Sequence, residues 1–219
     1  MNMIHKALRA VALGVAYATV SASAASAQAW EYPSFQQPRV TGREYNFGLA
    51  DGDQLGGTTL LFQWREGYGG SGQLGLDVGY ADSDPVDGAF FFGGNYGHQL
   101  MRSTADTPID LLLTVGANAA FADNFRLFRV PIGASIGRRF PLEGGLAITP
   151  YVHPRASIDI ADVEGLDSES EVNINFDLGG SFEFSRSLAL RLSATLGEDE
   201  AVGVSLAFTP GGRGTPARR

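Results

Sequence analysis

An all-β fold, a transmembrane antiparallel up-and-down β-barrel of about ten strands, is predicted for this 219-residue chain by three features. Apolar residues recur at every second position over most of the chain, the period of a strand with two unlike faces. Turn clusters interrupt that alternation at short, regular intervals. The residues between the apolar ones are mainly Gly, Ser, Thr and Asn with scattered Arg and Asp, whereas the outer face of a water-soluble barrel is rich in Lys and Glu.

At the N-terminus, Lys6 and Arg9 precede an apolar run from Ala10 to Val20 and a small-residue series from Ser21 to Ala29. This is the pattern of a secretory signal peptide, with cleavage after Ala27 or Ala29, so residues 1–29 are read as a leader outside the fold. Its apolar run is shorter than the roughly 20 residues of a spanning helix, and no later run approaches that length. A helical inner-membrane protein is thereby excluded. Removing Lys6 and Arg9 takes the formal charge from −8 to −10, which argues against a nucleic-acid partner. With no cysteine, neither a disulfide nor a thiolate metal site can form, and no cofactor is implied.

Residues 30–42, Trp30 to Gly42, contain Pro33 and Pro38 and lack alternation. They are read as a flexible periplasmic lead-in, in preference to a plug entering the barrel from the periplasm. The barrel then occupies 43–209, with strands at 43–50, 57–66, 72–82, 88–101, 108–121, 125–140, 145–161, 171–185, 187–197 and 200–209. The clearest places Phe128, Val130, Ile132, Ala134 and Ile136 on one face and Arg129, Pro131, Gly133, Ser135 and Gly137 on the other. Eight or twelve strands stay open, because Ser185-Arg186-Ser187 and Ala122-Asp123-Asn124 are as short as bulges. Residues 210–219, rich in Gly, Pro and Arg, read as a disordered tail.

A tilted strand crosses a bilayer in roughly 9–11 residues, and several of these segments reach that length. The apolar set then faces acyl chains and the small polar set a crowded lumen. Within it Arg65, Arg129, Arg139, Arg155 and Arg191 stand to neutralise Asp77, Asp110, Asp159, Asp177 and Glu183, as structural pairs or as pore lining. Connections assigned alternately to the two ends separate in charge. One end collects Asp51 and Asp53, Asp82, Asp84 and Asp87, Asp123, the acids from Asp162 to Glu171, and Glu198 to Glu200. With both termini periplasmic, that acidic end is extracellular. Aromatics divide into two girdles, Tyr80, Phe90, Phe92, Phe121 and Phe128 toward the acidic end, and Tyr45, Trp64, Phe140, Phe182, Phe184 and Phe208 toward the other.

Three patterns, Val130-Pro-Ile-Gly-Ala-Ser-Ile-Gly-Arg-Arg-Phe140, Phe176-Asp-Leu-Gly-Gly-Ser-Phe-Glu-Phe184 and Val202-Gly-Val-Ser-Leu-Ala-Phe208, give the chain its likeness to a family. It resembles small outer-membrane barrels of the OmpA-like, opacity-like class over most of Arg43 to Phe208. The resemblance implies the cell outer membrane of a Gram-negative bacterium, contact with its lipid and lipopolysaccharide, and insertion by the barrel-assembly machinery. That machinery commonly reads a closing aromatic residue, matched here by Phe208, although this chain departs from the pattern by continuing to Arg219.

Rim proteases on ten-stranded outer-membrane barrels pair Asp with His, but the mature chain has only His98 and His153, both within strands, so no catalytic residue is assigned. Asp51-Gly-Asp53 and the loop from Asp162 to Glu171 suit calcium or lipopolysaccharide-bridging cations by ligand type alone; without EF-hand spacing they read as solvated acid and no metal ligand is assigned. The expected role is a non-enzymatic structural or surface barrel. The alternative is a narrow porin-like channel for small solutes, ahead of a rim-active protease or a soluble ligand-binding barrel.

Overall fold

The computed structural model describes residues 32–52, 57–82, 88–165 and 167–211. The expected leader at 1–29, Trp30, Glu31, the loop acids Asp53, Asp84 and Asp87, and the residues from Gly212 onward lie outside the described residues. Among the described residues eleven strands alternate with turns: β1 Arg43–Gly52, β2 Gly57–Tyr68, β3 Gly72–Ala81, β4 Ala89–Met101, β5 Asp110–Ala122, β6 Phe125–Gly137, β7 Phe140–Pro141, β8 Ala147–Val163, β9 Glu169–Glu183, β10 Leu188–Gly197 and β11 Ala201–Phe208.

All pairings are antiparallel, and β1 pairs with β11, so the sheet closes without a free edge. β7 continues the alignment of β6 against β8, so the eleven strands make ten staves. The ten expected strands are all present, with ends within three residues of expectation. Ser185-Arg186-Ser187 and Ala122-Asp123-Asn124 are turns rather than bulges, which settles the count at ten. At the second turn Asn124 takes φ +61°, the left-handed region that Asn tolerates better than most residues.

The expected single strand 125–140 is broken at Arg138 and Arg139. The cause is proline. With the register unchanged, Arg138 faces Pro150 and Ala134 faces Pro154, and neither proline has an N–H to give the ladder. Pro131 interrupts the pairing of β5 with β6 in the same way, opposite Gly116.

Alternation decides what each face meets. The outward set includes Phe47, Leu60, Ile132, Ile158, Val172, Ile174, Phe176 and Val202, each at least half exposed and spread around the barrel. Such a belt is far larger than the few hundred Å² that soluble monomers leave uncovered. The inward set is polar through the middle of the bore but turns apolar toward the acidic end. There Ala50, Leu61, Ala81, Ala89, Phe91, Ala120, Phe125 and Leu127 pack together, a layer that the expected polar lumen did not include.

Candidate functional site

The ten charged residues expected in the lumen come together in the bore. Arg129 reaches Asp159 at 2.6 Å, Arg139 reaches Glu183 at 2.8 Å and Arg155 reaches Asp177 at 3.1 Å. Arg191 and Arg65 both turn to Glu44, at 2.7 and 4.0 Å. Asp110 lies 3.8 Å from Arg39 and accepts a hydrogen bond from the Ser103 amide, while Asp77 accepts one from Asn95. Most of these side chains are nearly inaccessible, so the wall holds them as pairs, the arrangement a poorly hydrated interior requires.

Glu44 and Asp199 were missed. Glu44 lies within the expected strand 43–50 and shares the parity of Asn46 and Gly48, so the alternation already marks it as inward. Asp199 reads as one more solvated acid in Glu198-Asp199-Glu200. In the structure it turns inward, accepts from Asn175 Nδ2 at 2.7 Å and stands 3.4 Å from Arg129. That corrects its placement among the surface acids, and no local signal marks it.

A second correction concerns the lead-in. Residues 32–42 do not lie outside the barrel; they run through the bore from Gly42, at the end where β1 begins and β11 finishes, to Tyr32 near the apolar layer. Phe35 is fully buried, and Tyr32 stacks on Phe91 at 5.1 Å between ring centroids. The wall serves the segment's backbone. Gln99 accepts from the Val40 amide at 2.7 Å and donates to the Pro38 carbonyl at 2.9 Å, and Gln73 accepts from the Thr41 amide. Ser135 donates to the Gln36 carbonyl at 2.7 Å and Arg65 to that of Ser34 at 3.0 Å. The physical reason is that this proline-interrupted stretch cannot form a ladder, and a polar bore satisfies its amides and carbonyls as water would.

Close approach inside the bore depends on missing side chains. A Cβ at Gly203 would lie 2.7 Å from the Phe35 ring, and one at Gly79 would lie 2.3 Å from the Phe91 ring. These glycines let inward rings lie flat against the sheet.

His153 holds the segment at mid-bore. Its Nδ1 is 2.7 Å from Ser34 Oγ and 3.3 Å from Asp177 Oδ2, and its Nε2 is 3.0 Å from Thr114 Oγ1. Histidine, hydroxyl and carboxylate are the parts of a proton relay, yet Ser34 belongs to the filling segment and the imidazole is 4% exposed. The cluster ties segment to wall and presents no open nucleophile. His98 lies on the outer face, 3.2 Å from the Tyr96 hydroxyl. Among the described residues no three His, Asp or Glu side chains group closely enough to hold a metal ion.

The aromatics of the two expected girdles all lie on the outer face. Tyr80, Phe90 and Phe121 align across neighbouring staves, with Phe92 and Phe128 one step inside them. Tyr45 is flanked by Trp64 and Phe208, and Phe182 and Phe140 flank Ile148, while Phe184 is 53% exposed.

No protein-family model and no curated protein matches the chain. Among solved structures it is similar to the β domain of the Bordetella autotransporter BrkA, at 11% identity and TM-score 0.43, covering 77% of this chain and 99% of that one. It is also similar to the KdgM porin, at 7% identity and TM-score 0.39, covering 76% and 98%. A KdgM porin in complex with disordered oligogalacturonate matches at 8% identity and TM-score 0.37, with the same coverage.

Proposed function

We propose that this chain is a non-enzymatic outer-membrane barrel whose resting state is closed, with a structural or surface role. The observation that carries this reading is the filled bore: residues 32–41 occupy it, ion pairs line it, and an apolar layer built on β1 to β6 packs toward its acidic end. Membrane residence is supported by the continuous outward apolar belt, bordered by aromatics at both ends, on a sheet whose backbone groups pair around a closed ring.

The acidic turns face the cell exterior in this reading, and lipopolysaccharide and lipid surround the belt. Export depends on the leader, and Phe208, outward-facing at the end of β11, is the residue the insertion machinery would read. The OmpA-like, opacity-like affinity belongs to the same proposal and rests on the patterns that form β6, β9 and β11.

The test is to refold the mature chain in detergent, verify the heat-dependent gel shift of a stable barrel, and record in planar bilayers. Silence is expected. Steady conductance from the folded chain overturns the closed reading, and a chain that stays soluble without detergent overturns membrane residence.

A further inference from the structure

The bore is filled by a piece of chain that the wall does not incorporate. Residues 32–41 form no strand, and their contacts run from backbone amides and carbonyls to side-chain ends, so the segment can leave without breaking a rung of the barrel. At its centre Phe35 sits at φ +49°, a conformation costly for a bulky side chain, and is held there by burial against Gly48 and Gly203. Outside that cradle nothing opposes relaxation of its backbone.

Part of the apolar layer leaves with the segment. Tyr32 and Phe35 are members of the apolar cluster, so withdrawing the segment removes two of its rings. Between the segment and the wall lies a cavity of about 60 Å³, more than the roughly 10–15 Å³ that one water needs. Arg65 Nε, Arg155 Nε and Asp77 Oδ1, all from residues lining it, have no hydrogen-bond partner among the described residues.

We propose that residues 32–41 are a removable gate and that the barrel conducts small hydrophilic solutes when they are withdrawn. The inference rests on the closed, membrane-spanning reading above. The wall at the level of the segment carries Arg65, Arg155 and Arg191 against Glu44, Asp77, Asp177 and Asp110, the last of which loses Arg39 when the segment leaves. Charge this close to balance selects mainly by size, with the one excess carboxylate favouring cations, so the solutes passed are small neutral or zwitterionic molecules along with salt cations.

The experiment compares three folded proteins in planar bilayers: the mature chain, the same chain lacking residues 30–41, and Gly203→Val, whose side chain occupies the space of the Phe35 ring. The mature chain is silent, the truncated barrel shows discrete steps with a small reversal potential of the cation-selective sign in a salt gradient, and Gly203→Val flickers open. A synthetic peptide of residues 30–42 added to the truncated barrel closes it.

Accessibility reports the gate independently. Ser34→Cys introduces the one thiol of an otherwise cysteine-free chain; it resists a charged maleimide in the parent background and reacts at least tenfold faster beside Gly203→Val. A truncated barrel that folds yet stays silent overturns the gate while leaving the closed reading intact, whereas a conducting mature chain overturns the closed reading itself. If the truncation does not fold, Gly203→Val decides: silence together with an unreactive thiol in the Ser34→Cys background overturns the gate.

Discussion

Replacing Arg129 by Met removes the cation that two buried carboxylates share. Its Nε donates to the two Asp159 oxygens at 2.9 and 3.0 Å, and its Nη2 lies 2.6 Å from Asp159 and 3.4 Å from Asp199. All three side chains are 3–6% exposed. After the substitution Asp159 keeps Asn173 and Asp199 keeps Asn175, so each retains a hydrogen bond and loses its counter-charge. Deleting one partner of a buried pair costs about 3–5 kcal/mol. Because two carboxylates are stranded here, the cost falls in the upper half of that range.

With a urea slope of about 2 kcal/mol per molar, the unfolding midpoint drops by about 2 M. The assay is a urea titration of the detergent-folded chain followed by tryptophan fluorescence. Adding Asp159→Asn and Asp199→Asn to Arg129→Met removes the stranded charges and restores most of the loss. A single-variant loss below about 1 kcal/mol, or a triple variant no more stable than the single, refutes the view that this cation holds the acidic half of the bore together.

Further outcomes follow from the two faces of the sheet. Ile132→Arg, at an outward position 63% exposed near the middle of β6, costs about 2–4 kcal/mol when acyl chains surround it; a barrel refolded in lipid that is no less stable speaks against the membrane assignment. Gly79→Val drives a side chain into the Phe91 ring and the Leu60 carbonyl and destabilises by more than about 2 kcal/mol. Gly94→Ala meets nothing nearer than 3.8 Å and stays within about 0.5 kcal/mol in the same titration. Gln99→Ala deprives the Val40 amide and the Pro38 carbonyl of their partner, costs about 1–3 kcal/mol, and raises the labelling rate of a cysteine placed at Val40; an unchanged rate shows that Gln99 does not hold the segment.

Period-2 alternation was enough to read about ten strands, with eight or twelve still open, and the sorting of side chains to two faces, because a closed antiparallel sheet leaves each residue only an inner or an outer side. Arg129 with Asp159, Arg139 with Glu183 and Arg155 with Asp177 were legible as charges of opposite sign on the inward set. Which cation meets which anion was not, since partners come from different staves and depend on register. The break between β6 and β7 was hidden because it arises opposite Pro150 on another strand, not from Arg138 or Arg139 themselves.

The sequence by itself determined the barrel, because period and turn spacing are local properties that each strand carries alone. Only the tertiary structure decided that the bore is filled. Residues 32–42 have no periodic pattern, and their place is set by Gly48 and Gly203 clearing room for one ring and by Gln99, Ser135, Arg65 and His153 converging from separate staves on one stretch of backbone. The inward turn of Asp199 has the same origin. A carboxylate in an acidic loop becomes a buried partner only once Arg129 and Asn175, distant in sequence, are brought beneath it.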